Sequence, residues 1–347
     1  MKNKILATLV AFGLVGSASA IEINENLSIN GFIDTSWSDL DASGNANDSQ
    51  RLGLDEIELN FLFNVGNVSG AIHIDDYDSD TSTTLLPSGD YAEDEGVDIE
   101  QAHFTYGLEN GISITVGKYG SKLGFEREDP SGIYTHSRAY SDDISDGTNG
   151  VAGSSFNLGD VDSNVFEGVA VSYSGGAFGF NLSFHNDGDS NLENDDLDTE
   201  LSFSYTGIEN LVLGGGFLFD NQGNSSGTNK ETDVVNVHAA YQTGKLLFAA
   251  EYTEQDIDHG TTANDKLDGY MFLADYSVSD KLAIALRLSN NEVVAATAGG
   301  NGKDFNKATI APRYAITDSL GAVIEYSDLD YGAADGNLLA VELTYTF

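Results

Sequence analysis

Four basic side chains, Lys118, Lys122, Arg127 and Arg138, fall within 21 positions of a strongly acidic chain. They belong to the stretch GKYGSKLGFEREDPSGIYTHSRAY (117–140), which also holds Glu126, Glu128 and Asp129. Fixed charges of both signs facing each other across a narrow gap set up a transverse field, which sorts dissolved species by charge and size. That chemistry requires the segment to fold into a confined space. On an outward surface the same residues form ordinary solvated ion pairs. Leu123, Phe125, Ile133 and Tyr134 favour the packed setting, since each gains by leaving water.

The remaining constellations are weaker. His136 beside Ser137, with Asp142 and Asp143 nearby, is the one local set that could support nucleophilic catalysis, and it carries no nucleophile-turn signature. No enzymatic activity is expected. Asp76, Asp78 and Asp80 match the first half of a calcium loop whose glycine and distal glutamate are missing. Asp187, Asp189, Asn191 and Glu193 share that defect. Both clusters read as solvated loop charge, with divalent bridging to lipopolysaccharide as the sharper alternative. No metal site or cofactor is expected. Cysteine is absent, which removes disulfides and thiolate chemistry.

The elements that would position these residues are strands. Residues 1–20 combine a basic start (MKNK), an apolar run from Ile5 to Val15 and the small residues Ala18-Ser19-Ala20. They read as a secretory signal, too short to span a bilayer as a helix. Without Lys2 and Lys4 the balance is 13 basic against 56 acidic residues, a net charge of −43. Such a charge excludes nucleic acid as a partner and suits a surface that attracts cations.

From residue 26 the chain alternates apolar and polar residues with period two, the mark of half-buried strands. In 281–289, for example, Leu282, Ile284, Leu286 and Leu288 oppose Ala283, Ala285, Arg287 and Ser289. Sixteen strands are expected, at 26–37, 51–64, 67–76, 97–106, 111–118, 165–174, 177–186, 197–206, 210–219, 232–242, 245–254, 267–277, 281–289, 305–316, 319–328 and 337–347. A further hairpin near 150–158 would make eighteen. Pro312 removes a ladder donor and predicts a bulge. Connections alternate between short turns and long loops rich in Asp, Asn, Ser and Gly, the longest being 119–164. Tyr106, Tyr173, Tyr205, Tyr241, Tyr276, Tyr314 and Tyr345 each end a strand just before a short turn or the chain end, and Phe63 holds the same place. From Tyr173 onward the gaps are 32, 36, 35, 38 and 31 residues, one hairpin per period. Amphipathic rings aligned at one end of every second strand mark the plane where hydrocarbon meets water. The expected fold is therefore all-β: residues 21–347 form one transmembrane antiparallel barrel with short turns on one side, long loops on the other and a long third loop.

The other face of the strands carries Asp34, Glu56, Glu58, Asp75, Glu200, Glu251, Asp275, Glu325 and Glu342, nine acids, against the bases Arg287, Lys307 and Arg313. It also carries His73, His103, His185 and His238, read as dispersed lining. Aromatic residues on this face are few, chiefly Phe32. Water in a wide lumen is expected to solvate these groups.

The stretches NGFIDTSW (30–37) and DIEQAHFTYGLENGISITVGKYGSKLGFE (98–126) have a counterpart in a known family. So do Tyr134, Ser137 and Tyr140 ahead of VFEGVAVSYS (165–174). The chain resembles the putative beta-barrel porin-2 group of Gram-negative outer-membrane porins over 26–175, and beyond that only in architecture. It is also similar to general sixteen-strand porins in the position of its third loop. The resemblance implies passive diffusion of small hydrophilic solutes and ions, an outer-membrane location and often a homotrimer. It also implies recognition of the terminal Phe347 by the outer-membrane assembly machinery, and contact with outer-membrane lipid and lipopolysaccharide. The acidic excess predicts cation preference, unless the four bases of 117–140 dominate the narrowest point. A substrate-specific channel and a non-conducting structural or adhesive barrel are the alternatives.

Overall fold

The computed structural model describes residues 20–42, 49–77, 97–126, 133–140, 165–186, 197–219, 231–258, 265–295, 303–330 and 335–347. Outside them lie the expected signal up to residue 19, Asp78, Asp80, Arg127, Glu128, Asp129, Asp142, Asp143, the 150–158 segment and the cluster from Asp187 to Glu193.

The described chain folds as strands β1 (Ile21–Asn24), β2 (Leu27–Ala42), β3 (Ser49–Val65), β4 (Val68–Tyr77), β5 (Asp98–Gly107), β6 (Ile112–Gly120), β7 (Val165–Gly175), β8 (Phe178–Asn186) and β9 (Asp198–Tyr205). It continues with β10 (Leu211–Phe219), β11 (Glu231–Thr243), β12 (Leu246–Asp258), β13 (Asp265–Ser277), β14 (Leu282–Ala295), β15 (Lys303–Ala315), β16 (Leu320–Asp330) and β17 (Asp335–Thr346). Every neighbouring pair is antiparallel, and β17 pairs back onto β2 from Gly336↔Ala42 to Thr346↔Phe32. Strands β2 to β17 thus close a sixteen-strand barrel, and no helix occurs among the described residues. β6 pairs directly with β7 along its whole length, from Ile112↔Tyr173 to Gly120↔Val165. An extra hairpin would have to lie between them, so the barrel has sixteen strands and not eighteen.

Alternation decides which face of each strand meets lipid. The outward set runs through Val169, Val171, Phe178, Phe180, Phe272, Leu286, Leu288 and Ile324, all exposed. In water that much contiguous apolar surface would aggregate; in a bilayer it is the solvated face. Tyr106, Tyr173, Tyr241, Tyr276, Tyr314 and Tyr345 all point outward, each between 43% and 47% exposed, so they form one ring near the short-turn rim. Short turns of two to five residues make that rim, and in the two-residue turn between β7 and β8 Gly176 holds φ +64°, a left-handed conformation that a hairpin of this length demands.

Three details depart from plain alternation. The bulge expected at Pro312 is not there. Ile310↔Tyr326 and Arg313↔Val323 keep one register, and the ladder to β16 simply lacks pairs at Ala311 and Pro312. True bulges occur elsewhere. In β3 the extra residue is Asp55, between Asp34↔Glu56 and Thr35↔Leu54. In β5 it is Glu100, between His73↔Gln101 and Ile74↔Ile99. A bulge sets two successive side chains near one face, and here each adds a carboxylate to the interior.

β1, which the alternation did not announce, pairs with β2 through Ile21↔Ile29 and Glu22↔Ser28. It therefore prolongs the line of β17 along the same edge of β2, where Phe347 and Gly31 exchange two backbone hydrogen bonds of 3.1 Å. At this crossing a Cβ on Gly31 would stand 2.1 Å from the Glu58 carbonyl oxygen, so only glycine fits.

Candidate functional site

The described parts of the third loop, 121–126 and 133–140, lie inside the barrel. An irregular segment at membrane depth must find a partner for each of its backbone polar groups, since lipid offers none. The inner wall supplies them with charged side chains. Glu200 on β9 accepts from Ser121 Oγ–H (2.5 Å) and from the Lys122 N–H (2.9 Å). Glu251 on β12 accepts from the Phe125 N–H at 2.5 Å. Glu325 on β16 accepts from the Ser137 N–H at 2.9 Å and also from its hydroxyl. Two bases take the carbonyls. Arg287 on β14 donates to Ser137 O (2.6 Å) and Arg138 O (2.7 Å), and Lys307 on β15 donates to Arg138 O at 2.8 Å. Ser289 donates to Ala139 O at 2.5 Å. Hydrogen bonds with one ionised partner are about twice as strong as neutral ones, so these contacts fix the loop rather than merely touch it.

Two ion pairs complete the clamp. Arg287 Nη1 lies 2.6 Å from Glu126, with both side chains buried. Arg313 on β15 pairs with Asp275 on β13 at 2.6 Å and lies 4.9 Å from the centroid of the Tyr134 ring. His136 Nδ1 sits 2.6 Å from Glu342 on β17. Burial holds the His136 imidazole below its ordinary value, despite the opposing pull of Glu325 and Asp34, so it rests neutral. Burial likewise pushes the Tyr134 and Tyr140 phenols up.

Apolar packing backs the polar clamp. Leu123, Tyr134, Ala139 and Tyr140 join one buried cluster with Val234, Leu247, Leu267, Met271 and Leu273 of the inner wall. Burying each large side chain is worth about 1.5–3 kcal/mol. The signal for this lay in β13, DKLDGYMFLADYS, where Tyr270, Phe272 and Tyr276 face out while Leu267, Met271 and Leu273 are buried inside. A strand apolar on both faces is covered on both faces, by lipid outside and by the loop within.

These contacts correct one expectation. The inward charged groups were expected to be solvated by water in the lumen. Asp34, Glu56, Glu58 and Asp75 on one side and Arg287, Lys307, Glu325 and Glu342 on the other are instead at most 3% exposed, and the last four are neutralised by protein. The interior also holds more rings than expected. Tyr119 bonds Ser183 at 2.8 Å, Phe166 stacks on His185 with centroids 3.8 Å apart, and Phe305 packs with Leu329 and Leu338. His136 and Ser137 serve separate wall carboxylates and are both fully buried.

Around a sixteen-member ring, β5 stands opposite β13. The wall from β2 to β5 is acidic: Asp34, Asp55, Glu56, Glu58 and Asp75 are buried in it and Glu100 is half-buried. Asp34 accepts from Thr344 Oγ1–H at 2.8 Å, and Asp55 pairs with Arg51. Arg138 of the loop is near enough to Glu56 to interact with it electrostatically. Lys122 is exposed, and Lys118 on β6 donates to Ile99 O at 2.9 Å. Of the expected charged set, then, Glu126 and Arg138 both meet Arg287 inside the barrel, Lys122 joins the clamp through its N–H, and Lys118 bonds the β5 backbone. Asp76 lies at the far end of β4 opposite Ile57, on the outward face.

One histidine is not dispersed lining. His73 Nδ1 lies 3.3 Å from Glu58 Oε1 and 3.6 Å from Glu100 Oε2. Alternation hid this group, because without the bulge Glu100 would point outward with Phe104.

A closed barrel with a lipid-facing girdle and a loop folded into its bore defines the outer-membrane porin class. Residues 163–338 match the family described as putative beta-barrel porin-2, OmpL-like, and the chain belongs to that family. The match falls mostly on the second half, where the sequence alone had suggested only architectural likeness, and overlaps 26–175 only at 163–175. No curated protein matches the chain in sequence. Among solved structures, the outer-membrane channel DcaP of Acinetobacter baumannii superposes with a TM-score of 0.65 at 14% identity, covering 95% of this chain and 100% of that one. The trimer form of OmpT from Vibrio cholerae gives 0.62 at 13% identity, covering 92% and 99%. An anion-selective porin from Comamonas acidovorans gives 0.61 at 12%, again covering 92% and 99%. The protein is a porin-type barrel of the outer membrane.

Proposed function

We propose that this porin passes small hydrophilic solutes and ions by passive diffusion, with a preference for cations. The carrying observation is the asymmetry of the bore. The third loop is clamped to β9–β17, and across from it stands a wall with six carboxylates between Asp34 and Glu100. Arg138 on the loop opposes Glu56 on that wall. Opposed charges of this kind impose a transverse field, and the acidic excess lowers the energy of a passing cation. Glu126 is occupied by Arg287, which removes both from the permeation path. Pore-lining roles are accordingly assigned to Lys118, Lys122 and Arg138, while Asp34, Glu56 and Glu58, buried in the wall, act on the bore through their field. Asp275, Arg287, Arg313, Glu325 and Glu342 are assigned to holding the loop.

The reading extends to export by residues 1–20, assembly through Phe347 and a homotrimer, a state that one structural neighbour also adopts. The test is the reversal potential of purified, refolded protein in a planar bilayer under a potassium chloride gradient. Potassium preference is expected. Chloride preference would overturn the charge assignment, and absence of conductance would leave a structural barrel. Saturable block by one solute would instead mark a substrate-specific channel.

A further inference from the structure

We propose that Glu58, His73 and Glu100 form a binding site for a transition-type divalent cation, with Zn2+ the best fit, on the inner wall of the barrel. The three residues sit on adjacent strands β3, β4 and β5, and their ligand atoms all lie within 4.8 Å of one another. The imidazole nitrogen is 3.3 Å from one carboxylate oxygen and 3.6 Å from the other. Bonds of about 2.0–2.2 Å from nitrogen and oxygen to zinc, set at tetrahedral angles, place ligand atoms roughly 3.3–3.6 Å apart. The two separations from the imidazole therefore match edges of a zinc tetrahedron, and the two carboxylates lie within 4.8 Å of each other.

The donor set narrows the choice of ion. One imidazole with two carboxylates suits zinc and its neighbours in the first transition row. Calcium asks for six to eight oxygens and magnesium for a largely hydrated octahedron, and this site offers neither. The site is built rather than incidental, because the bulge in β5 is what turns Glu100 inward beside Gln101. Gln101 Nε2 then donates to Glu100 Oε2 at 3.4 Å, an outer contact that orients the carboxylate. The surrounding field favours a cation. Asp75 pairs with Glu58 across β3 and β4, and Lys118 on the adjoining strand β6 spends its ammonium on the Ile99 carbonyl. Access comes from the bore: the side chains of His73 and Glu100 are 20% and 15% exposed, whereas Glu58 is 2% exposed. An ion held by these three keeps one open position, towards the lumen, for water or a passing anionic group.

The consequence for transport rests on the porin reading. A divalent ion here cancels charge on the acidic wall and so reduces its pull on potassium. Binding itself does not depend on conduction, and the experiment separates the two. Refolded protein in detergent, stripped with chelator, is titrated with zinc chloride by calorimetry and with cobalt chloride by visible absorption. One zinc per chain is expected on the wild type, with an intense tetrahedral cobalt band that zinc displaces. His73→Gln and Glu100→Gln, each checked for the heat-modifiable gel shift of a closed barrel, should weaken zinc by more than about 100-fold, beyond the 10–100-fold that a supporting residue costs. Calcium should not displace the cobalt. Zinc bound equally by wild type and both variants would place the ion on the acidic surface and overturn the proposal, as would a wild type that binds none. In bilayers, micromolar zinc should lower potassium selectivity in the wild type and leave His73→Gln unchanged. A channel that does not conduct would sink the porin reading while the calorimetry still decides the site.

Discussion

The two halves of the inner wall use the same residue types for opposite ends. From β9 to β17, carboxylates and bases face inward and are consumed by the third loop: Glu200, Glu251 and Glu325 take its N–H groups, Arg287 and Lys307 its carbonyls. From β2 to β5 the inward charged groups are mostly carboxylates, and two backbone bulges add to their number. The difference teaches that an inward charge in a barrel does not by itself report a pore lining. What faces it decides. A charge opposite a backbone dipole is a fastener, and a charge packed among like charges in the wall acts through its field.

Breaking the fastened half should have the largest effect. Arg287→Met strands Glu126 in a buried site, takes a donor from the Ser137 carbonyl and leaves the Arg138 carbonyl to Lys307. Removing one partner of such a pair costs about 3–5 kcal/mol, here charged to loop docking and not to the barrel. Single-channel conductance should rise and become noisy, and protease should cut within 121–140 while the gel shift of the closed barrel persists. Lys307→Met comes next. It removes one carbonyl partner and the cation beside Glu325, a loss of about 1.5–3 kcal/mol, with the same readouts in weaker form.

The facing half responds in selectivity instead. Glu56→Gln should lower the potassium-to-chloride permeability ratio severalfold with no change in loop protection, measured by reversal potential. If it loosened the loop as Arg287→Met does, the two halves would not be functionally distinct.

Acidification gives the smallest effect. His136 titrates below its ordinary value of about 6.5 when docked and near that value when the loop is free. The free loop therefore binds the proton more readily, so docking is at full strength above about pH 6.5 and weakens as pH falls below it. Protease sensitivity of the loop should increase between pH 7.5 and 5. Glu325, Asp34, Lys307 and Arg51 also surround the ring, so His136→Gln serves as the control: it should remove the histidine's share of the slope.

Much of this molecule could be read from its sequence. Period-two alternation located all sixteen barrel strands, closely at the short-turn rim and up to six residues short at the long-loop end, because each has one lipid-facing side and the tyrosines fix one rim. What escaped has physical causes. Both bulges fall where two polar residues are adjacent, Asp55-Glu56 and Glu100-Gln101, so one inserted residue leaves no trace in an apolar pattern. β1 is four residues long and exposed along its whole length, too short for any periodicity. Pro312 misled in the other direction, since a strand can omit two ladder pairs more easily than it can kink. The loop's confinement was foreshadowed by Leu123, Phe125, Ile133 and Tyr134, but its partners were not. Glu251 and Lys307 look alike in sequence whether they meet water or a peptide group. Only β13, apolar on both sides, hinted at where the loop docks.

The shared edge of β2 carries a mechanical consequence. A closed barrel keeps its diameter and strand tilt only if no strand slides past its neighbour, because the stagger summed around the ring sets both. β17 could slip along β2 in two-residue steps without turning a side chain to the wrong face. The way toward the short-turn rim is blocked, since β1 already occupies the continuation of that line, with only Asn30 of β2 between the Gly31 and Ile29 pairings. The first strand of the chain is thus a stop that sets the shear of the whole cylinder.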